Sequence, residues 1–240
     1  MQLSREALLQ AYRQMRTIRD FEERVHDEFS AGGIPGFVHL YAGEEASAVG
    51  FCSHLGKRDF IASTHRGHGH CIAKGCDVRG MMLEIFGKRD GICGGKGGSM
   101  HIADFSVGML GANGVVAAGL NIAVGAAHAQ KLQRRDAITA CFFGDGAINR
   151  GPFLEALNWA AAYRLPVLFV CEDNRWSATT ASGPMTAGPG ASARAIGLDI
   201  AATQVDGNDV VEVHQAAAAF QHDWHCIFPS PIIAGCCFHS

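Results

Sequence analysis

The sequence predicts an α/β fold, a parallel β-sheet flanked by helices, and three observations carry that prediction. A strand–helix–strand unit is legible between residues 137 and 176, and such a unit pairs its strands in parallel through a right-handed crossover. Thirty glycines among 240 residues are too many for an ordinary helical bundle and lack the triplet repeat of collagen. They are expected to serve turns, close packing and backbone approach to a ligand. A composition of 48% hydrophobic and 18% charged residues can build a sizeable core and excludes global disorder. No internal repeat or low-complexity linker divides the chain. It is read as one domain over 1–240, with an N-terminal helix within 1–30 and an atypical tail from about 216.

Residues 4–29 read as one amphipathic helix: Ser4 is placed to cap it, Glu6 lies in the first turn, and Leu8, Tyr12, Met15, Ile18, Val25 and Phe29 recur near helical spacing. Gly32-Gly33-Ile34-Pro35-Gly36 breaks it. A shorter helix is expected over 43–55, a Gly- and His-rich stretch over 61–75, and a helix from Val78 to Phe86. Residues 87–115 are dominated by glycine and short polar residues, and an irregular segment of that length usually has a function. Ala117 to Leu132 resumes as a helix of small residues. Ala137 to Phe143 is an apolar run of buried-strand character, and Gly144 to Gly151 is a turn. Pro152 and Glu155 open a helix that ends at Leu165-Pro166, and Val167 to Cys171 is the return strand.

The formal net charge of −3 offers no bulk attraction for a polyanion, so nucleic acid is not expected as a partner. No basic patch followed by an apolar run opens the chain, and nine cysteines occur without a Cys-x-x-Cys pair; both favour reduced thiols in the cytoplasm. Phe105 to Gln130 carries no formal charge, yet Asn113, Asn121 and five glycines argue for a buried segment over a membrane span.

Both strands of the central unit should end at the same sheet edge, because a helix of about 12 residues spans ~18 Å and a strand of about 6 spans ~20 Å. Asp145 follows the first strand directly and Asn174 follows the second, 29 residues later. Their side chains can meet in the crevice beyond the carboxyl ends of the strands, where open α/β sheets bind ligands. A carboxylate, an amide oxygen and a backbone carbonyl make a hard, partial oxygen shell of the kind Mg2+ favours when a diphosphate completes it. Glycines flanking Asp145 would let phosphate approach the backbone, and the helix beginning near Pro152 would add donors and a favourable dipole.

Gly144-Asp145-Gly146 and the later Glu172-Asp173-Asn174 resemble the thiamine-diphosphate motif of the α subunits of thiamine-diphosphate-dependent 2-oxo acid and acetoin dehydrogenases. Family chains usually carry Asn-Asn where this one has Asp173-Asn174. The resemblance implies a thiamine-diphosphate-binding fold, with Mg2+ held by the side chains of Asp145 and Asn174 and the backbone carbonyl of Trp176, a position usually held by Tyr. It extends from roughly residue 5 to about 215. Gly36 to Ala46 is similar to the family's segment near the substrate channel, so that His39 matches a histidine set beside the reactive cofactor carbon. Ser63-Thr64-His65-Arg66-Gly67-His68-Gly69 resembles the family's Tyr-Arg-x-His-Gly segment in its acetoin-type form, which implies that Arg66 contacts the diphosphate. Lys96 to His101 and Gly111 to Val116 also match, and by resemblance Gly114 and Val116 line the aminopyrimidine pocket.

The implied activity is cleavage of acetoin, or decarboxylation of a 2-oxo acid such as pyruvate, with transfer of the two-carbon unit to a lipoyl group on an E2 acyltransferase. The implied assembly is α2β2 with a separate E1 β subunit, and the lone chain would be inactive. The competing expectation is a cofactor-binding but catalytically deficient subunit that only scaffolds its β partner. It arises from the tail: after Val205 to Val211 the match fades, and a shifted reading frame or a truncation would account for the Cys- and His-rich stretch from Asp223 to Ser240. Ser230-Pro231-Ile232-Ile233 is faintly similar to a family strand, and His239 is given no role. His65, His68, His70 and Cys71 are spaced too tightly for a usual structural zinc site, leaving His68 and His70 as loop histidines bonded to backbone. Lys96 is followed by Gly97 where a phosphate-binding Walker loop needs Ser or Thr, so that reading is rejected. Cys93, Cys141 and Cys171 are expected as small buried hydrophobes, and His128 as a packing residue.

Overall fold

In the computed structural model, residues 3–223 and 232–236 are described. The first helix, α1 (Arg5–Ser30), begins where Ser4 was placed as its cap: the Ser4 hydroxyl accepts the Ala7 N–H at 3.1 Å. Its inner face buries Ala11, Ile18, Phe21 and Val25 together with one carboxylate, Glu22. Then follow α2 (Glu45–Cys52), β1 (Phe60–Ala62), α3 (His68–Lys74), α4 (Val78–Ile85), β2 (Met109–Gly111) and α5 (Ala118–Leu132). The expected helix over 43–55 runs only from Glu45 to Cys52; at its start Gly43 takes a φ of +96°, outside helical geometry. The Gly- and His-rich stretch over 61–75 contains the end of β1 and the whole of α3, all seven of whose residues are buried.

The central unit is β3 (Thr139–Gly144), a 3-10 turn (Asp145–Asn149), α6 (Gly151–Tyr163) and β4 (Val167–Asp173). β3 and β4 pair in parallel from Thr139↔Val167 to Gly144↔Glu172, as the strand–helix–strand pattern requires. A small hairpin of β5 (Trp176–Ser177) and β6 (Thr180–Ala181) follows, then α7 (Ala191–Ile196), β7 (Ala202–Asp206), α8 (Val210–Asp223) and β8 (Ile232–Cys236). The main sheet has six strands in the order β2-β1-β3-β4-β8-β7, every pair parallel.

Helices cover both faces. Ala140, Phe142, Leu168 and Val170 face a core built with α1 to α4 and α8. Their chain neighbours Cys141, Phe143, Phe169 and Cys171 face a second core with α5, α6 and α7. A strand buried on both faces reads as a continuous apolar run, which is why β3 and β4 were visible in sequence. β7, whose burial alternates, and α8 were not read there; the faint strand at Ile232 is β8, inserted between β4 and β7. The rest of the Cys- and His-rich tail, 224–231 and 237–240, lies outside the described residues. Among the described residues no helix is long and apolar enough to cross a membrane.

The glycine-rich stretch has an internal organiser. Glu84 of α4 is fully buried, and its carboxylate accepts the N–H groups of Cys93, Gly95 and Gly97 at 2.7–2.8 Å and of Gly98 at 3.2 Å. Burial alone would raise its pKa, but these four donors outweigh it and hold the carboxyl below its usual range. The loop wraps a protein carboxylate where a Walker loop would wrap phosphate. Gly95 has φ +75°, and a Cβ there would lie 2.6 Å from the Lys88 carbonyl.

Candidate active site

One cavity opens at the carboxyl ends of β1, β3 and β4. Its wall includes Ser63 to Arg66 after β1, Asn113 and Val115 to Ala117 before α5, Gly144 at the end of β3 with Asp145 to Ala147 beyond it, and Glu172 near the end of β4 with Asn174 and Trp176 beyond it, joined by Glu44 at the cap of α2. The register explains the meeting: Gly144 pairs with Glu172, so Asp145 and Asn174 leave neighbouring strands at nearly the same level.

Asp145 is buried, and its Oδ2 finds no hydrogen-bond partner among the described residues. Burial raises its pKa, with the nearby Asp173 adding to the rise and Ser182 opposing it. A side chain at Gly146 beside it would displace Ser177, since a Cβ would lie 2.5 Å from the Ser177 hydroxyl. Asn174 Oδ1 accepts the Trp176 N–H at 3.0 Å, and its Nδ2 donates to Glu44 Oε1 at 3.2 Å. Arg66 donates through Nη1 to the Leu40 carbonyl at 2.6 Å, which holds its side chain across the cavity wall.

His39 does not line this cavity. Its ring meets the edge of His65, which does, at a centroid distance of 4.8 Å, and its buried Nδ1 has no partner among the described residues. Burial lowers the pKa of both rings, helped for each by the positive charge of Arg66; His65 falls to about 4. Both imidazoles are therefore neutral at neutral pH. Val116 lies on the wall; Gly114 sits just outside it, between Asn113 and Val115, beside the His101 ring.

The helix end at the cavity differs from the one expected. The 3-10 turn carries the chain away before α6 begins, and no residue of α6 touches the cavity. Instead α5 points its first turn inward, with Ala117 (φ +73°) as a cap residue that supplies no side-chain hydrogen bond. That end offers donors and a positive dipole to an anion.

Sequence reasoning missed the acidic network beneath. Glu172 accepts from the Tyr41 hydroxyl, from Ser47 Oγ at 2.9 Å and from His70 Nε2 at 3.0 Å, while His70 Nδ1 meets Ser63 Oγ at 2.8 Å. Burial would raise Glu172, but His70, Tyr41 and Ser47 hold it below the usual range. Glu44 has gained no such set: burial and the charge of Glu172 push it up to about 8 against Arg66 and Asn174. His68 bonds Glu22 and, through Nε2, Ser99 at 2.9 Å. The two histidines thus sit in a helix and bond side chains; they are neither loop residues nor held by backbone. Nothing in their spacing could reveal partners from α1, β4 and the glycine-rich loop. Cys141 and Cys171 are buried as expected, whereas Cys93 is only half-buried and its Sγ bonds the Ala103 backbone. His128 packs on Tyr163 and accepts from Trp159.

A parallel sheet covered on both faces, with a carboxylate oxygen that has no partner among the described residues and a tethered amide at adjoining strand ends, belongs to a defined class, and the chain is a member of the family described as Dehydrogenase E1 component, matched over residues 13–233. Among its relatives is the α subunit of acetoin:2,6-dichlorophenolindophenol oxidoreductase of Cupriavidus necator, 56% identical over 90% of this chain and 65% of that one. The Bacillus subtilis protein of the same name is 54% identical over the same shares. The pyruvate dehydrogenase E1 component subunit alpha of Zymomonas mobilis is 42% identical over 95% of this chain and 65% of its own. The chain thus spans about 65% of the length of these relatives. Its fold is also that of a transketolase from Campylobacter jejuni, at a TM-score of 0.58 and 19% identity over 80% of this chain and 37% of the other.

Proposed function

We propose that the chain is the α subunit of a thiamine-diphosphate-dependent E1 dehydrogenase of the cytoplasm, acting on acetoin and passing the two-carbon unit to a lipoyl group on an E2 acyltransferase. The observation that carries this reading is the buried Asp145 Oδ2, without a donor among the described residues and in one cavity with Asn174. A buried carboxylate oxygen in that state is costly unless a cation meets it. The donor set fits Mg2+: Asp145 and Asn174 would hold the ion through side-chain oxygens and Trp176 through its carbonyl. Arg66, the start of α5 and the open backbone at Gly144 and Gly146 would take the diphosphate, with Val116 and Gly114 toward the aminopyrimidine.

Thiamine diphosphate, when bound, supplies a nucleophilic carbon and an electron sink for a bond breaking beside a carbonyl. The protein's part is position and proton handling. His39, neutral and set behind His65 at the cavity, has a ring nitrogen without a partner among the described residues and would hold or release a proton toward a substrate there. Acetoin is preferred to pyruvate as substrate because the acetoin-type relatives are the more similar. The names of the relatives do not favour the scaffolding alternative. A β subunit is supported by the cavity's rim, where the large apolar side chains of Val115, Val116 and Trp176 stand exposed.

The test is to combine the purified chain with its β subunit and measure acetoin-dependent reduction of an artificial acceptor. Turnover that requires both subunits, Mg2+ and thiamine diphosphate is expected. Absence of cofactor binding by the assembled protein would overturn the reading, and turnover by the lone chain would overturn the assembly.

A further inference from the structure

Asn174 is held at both ends of its amide. The Trp176 N–H can only donate, so the atom 3.0 Å from it must be the oxygen, and the opposite end is the NH2 that reaches Glu44. An amide oxygen has two acceptor positions, and the Trp176 N–H takes one of them. The second partner, Glu44, comes from a different part of the fold, 130 residues earlier, and is itself only 2% exposed.

With one tether an Asn side chain turns easily about its last torsion, whose profile is broad. With two tethers from different elements its plane is fixed. We propose that Glu44 is a positioning residue for the cation: by accepting from Asn174 Nδ2 it locks the amide so that the free acceptor position of Oδ1 faces the ion shared with Asp145. This rests on the cation site proposed above. Glu44 Oε1 is engaged by the amide, and the part inferred for it is to orient a ligand. Loss of such an outer partner typically costs about 10–100-fold in metal affinity.

The experiment uses Mn2+ as a paramagnetic stand-in for Mg2+, titrated with thiamine diphosphate into the full chain assembled with its β subunit and followed by electron paramagnetic resonance. Glu44→Gln keeps an acceptor oxygen at the same reach and should bind Mn2+ within about threefold of the parent. Glu44→Ala should bind about 10–100-fold more weakly. Glu44→Met, which keeps the volume without the acceptor, should match Glu44→Ala and stands in for it if the smaller side chain prevents folding. A purely packing role would lower the thermal midpoint of the metal-free protein while leaving Mn2+ affinity intact, and that result overturns the inference. Equal losses in Glu44→Gln and Glu44→Ala also overturn it, since the carboxylate itself would then be what the ion needs. Failure of the parent to bind Mn2+ would instead sink the cation site beneath it.

Discussion

Two side chains at the cavity show how burial converts position into chemistry. Asp145 is placed by the end of β3, and its Oδ2 is buried with no donor among the described residues. Asp145→Ala should abolish saturable binding of Mg2+ with thiamine diphosphate by calorimetry, a loss of at least 100-fold. Asn174→Ala should follow it, because the shell loses its second side-chain oxygen. His65 shows the same physics with the opposite charge. Burial and the neighbouring His39 and Arg66 bring its pKa from the usual 6.5 to about 4. Between those values the unfolded chain binds the proton and the folded chain does not, so this contribution to stability is complete above pH 6.5 and is lost as the pH falls toward 4. Thermal midpoints measured from pH 7 to pH 4 should therefore decline, and His65→Asn should flatten the decline. An unchanged slope would show that other groups set it.

At the level of elements, the segment from Gly91 to Gly98 owes its shape to one carboxylate of α4. Four backbone donors converge on Glu84, so a sequence that looks structureless is as fixed as a helix turn. Glu84→Ala strands those donors and should destabilise the protein by about 2 kcal/mol or more in urea unfolding. The same variant should be cut by trypsin after Lys96 faster than the parent, because the loop loses its anchor. The loop also carries Ser99, whose hydroxyl meets His68, itself bonded to Glu22 of α1. Loosening it should thus reach α3, the helix beside the cavity. None of this was legible in the run of glycines. A glycine shows that the backbone is free to bend, but not which distant group it bends around.

Over the whole molecule, the order β2-β1-β3-β4-β8-β7 puts β8 between β4 and β7. A chain ending at Asp223 would leave β4, which carries Asn174 just beyond its end, as an open sheet edge. Such a truncation should lower the thermal midpoint and promote association, by calorimetry and light scattering; a soluble, equally stable product would show that β8 contributes little. The exposed rim at Val115, Val116 and Trp176 belongs to this scale as well. Val115→Asp should weaken association with the β subunit in sedimentation while leaving the fold of the chain intact by circular dichroism. By itself the sequence determined α1 with its cap, the paired strands β3 and β4, and the placing of Asp145 and Asn174 at neighbouring strand ends, because periodicity, caps and strand length are local properties. Only the tertiary structure decided that α5 and not α6 points into the cavity, that Glu44 and Glu172 join its wall, and that His39 reaches it through His65. Those relations join residues up to 131 apart, and side chains meet over such distances only once the packing of both sheet faces has fixed where each helix lies.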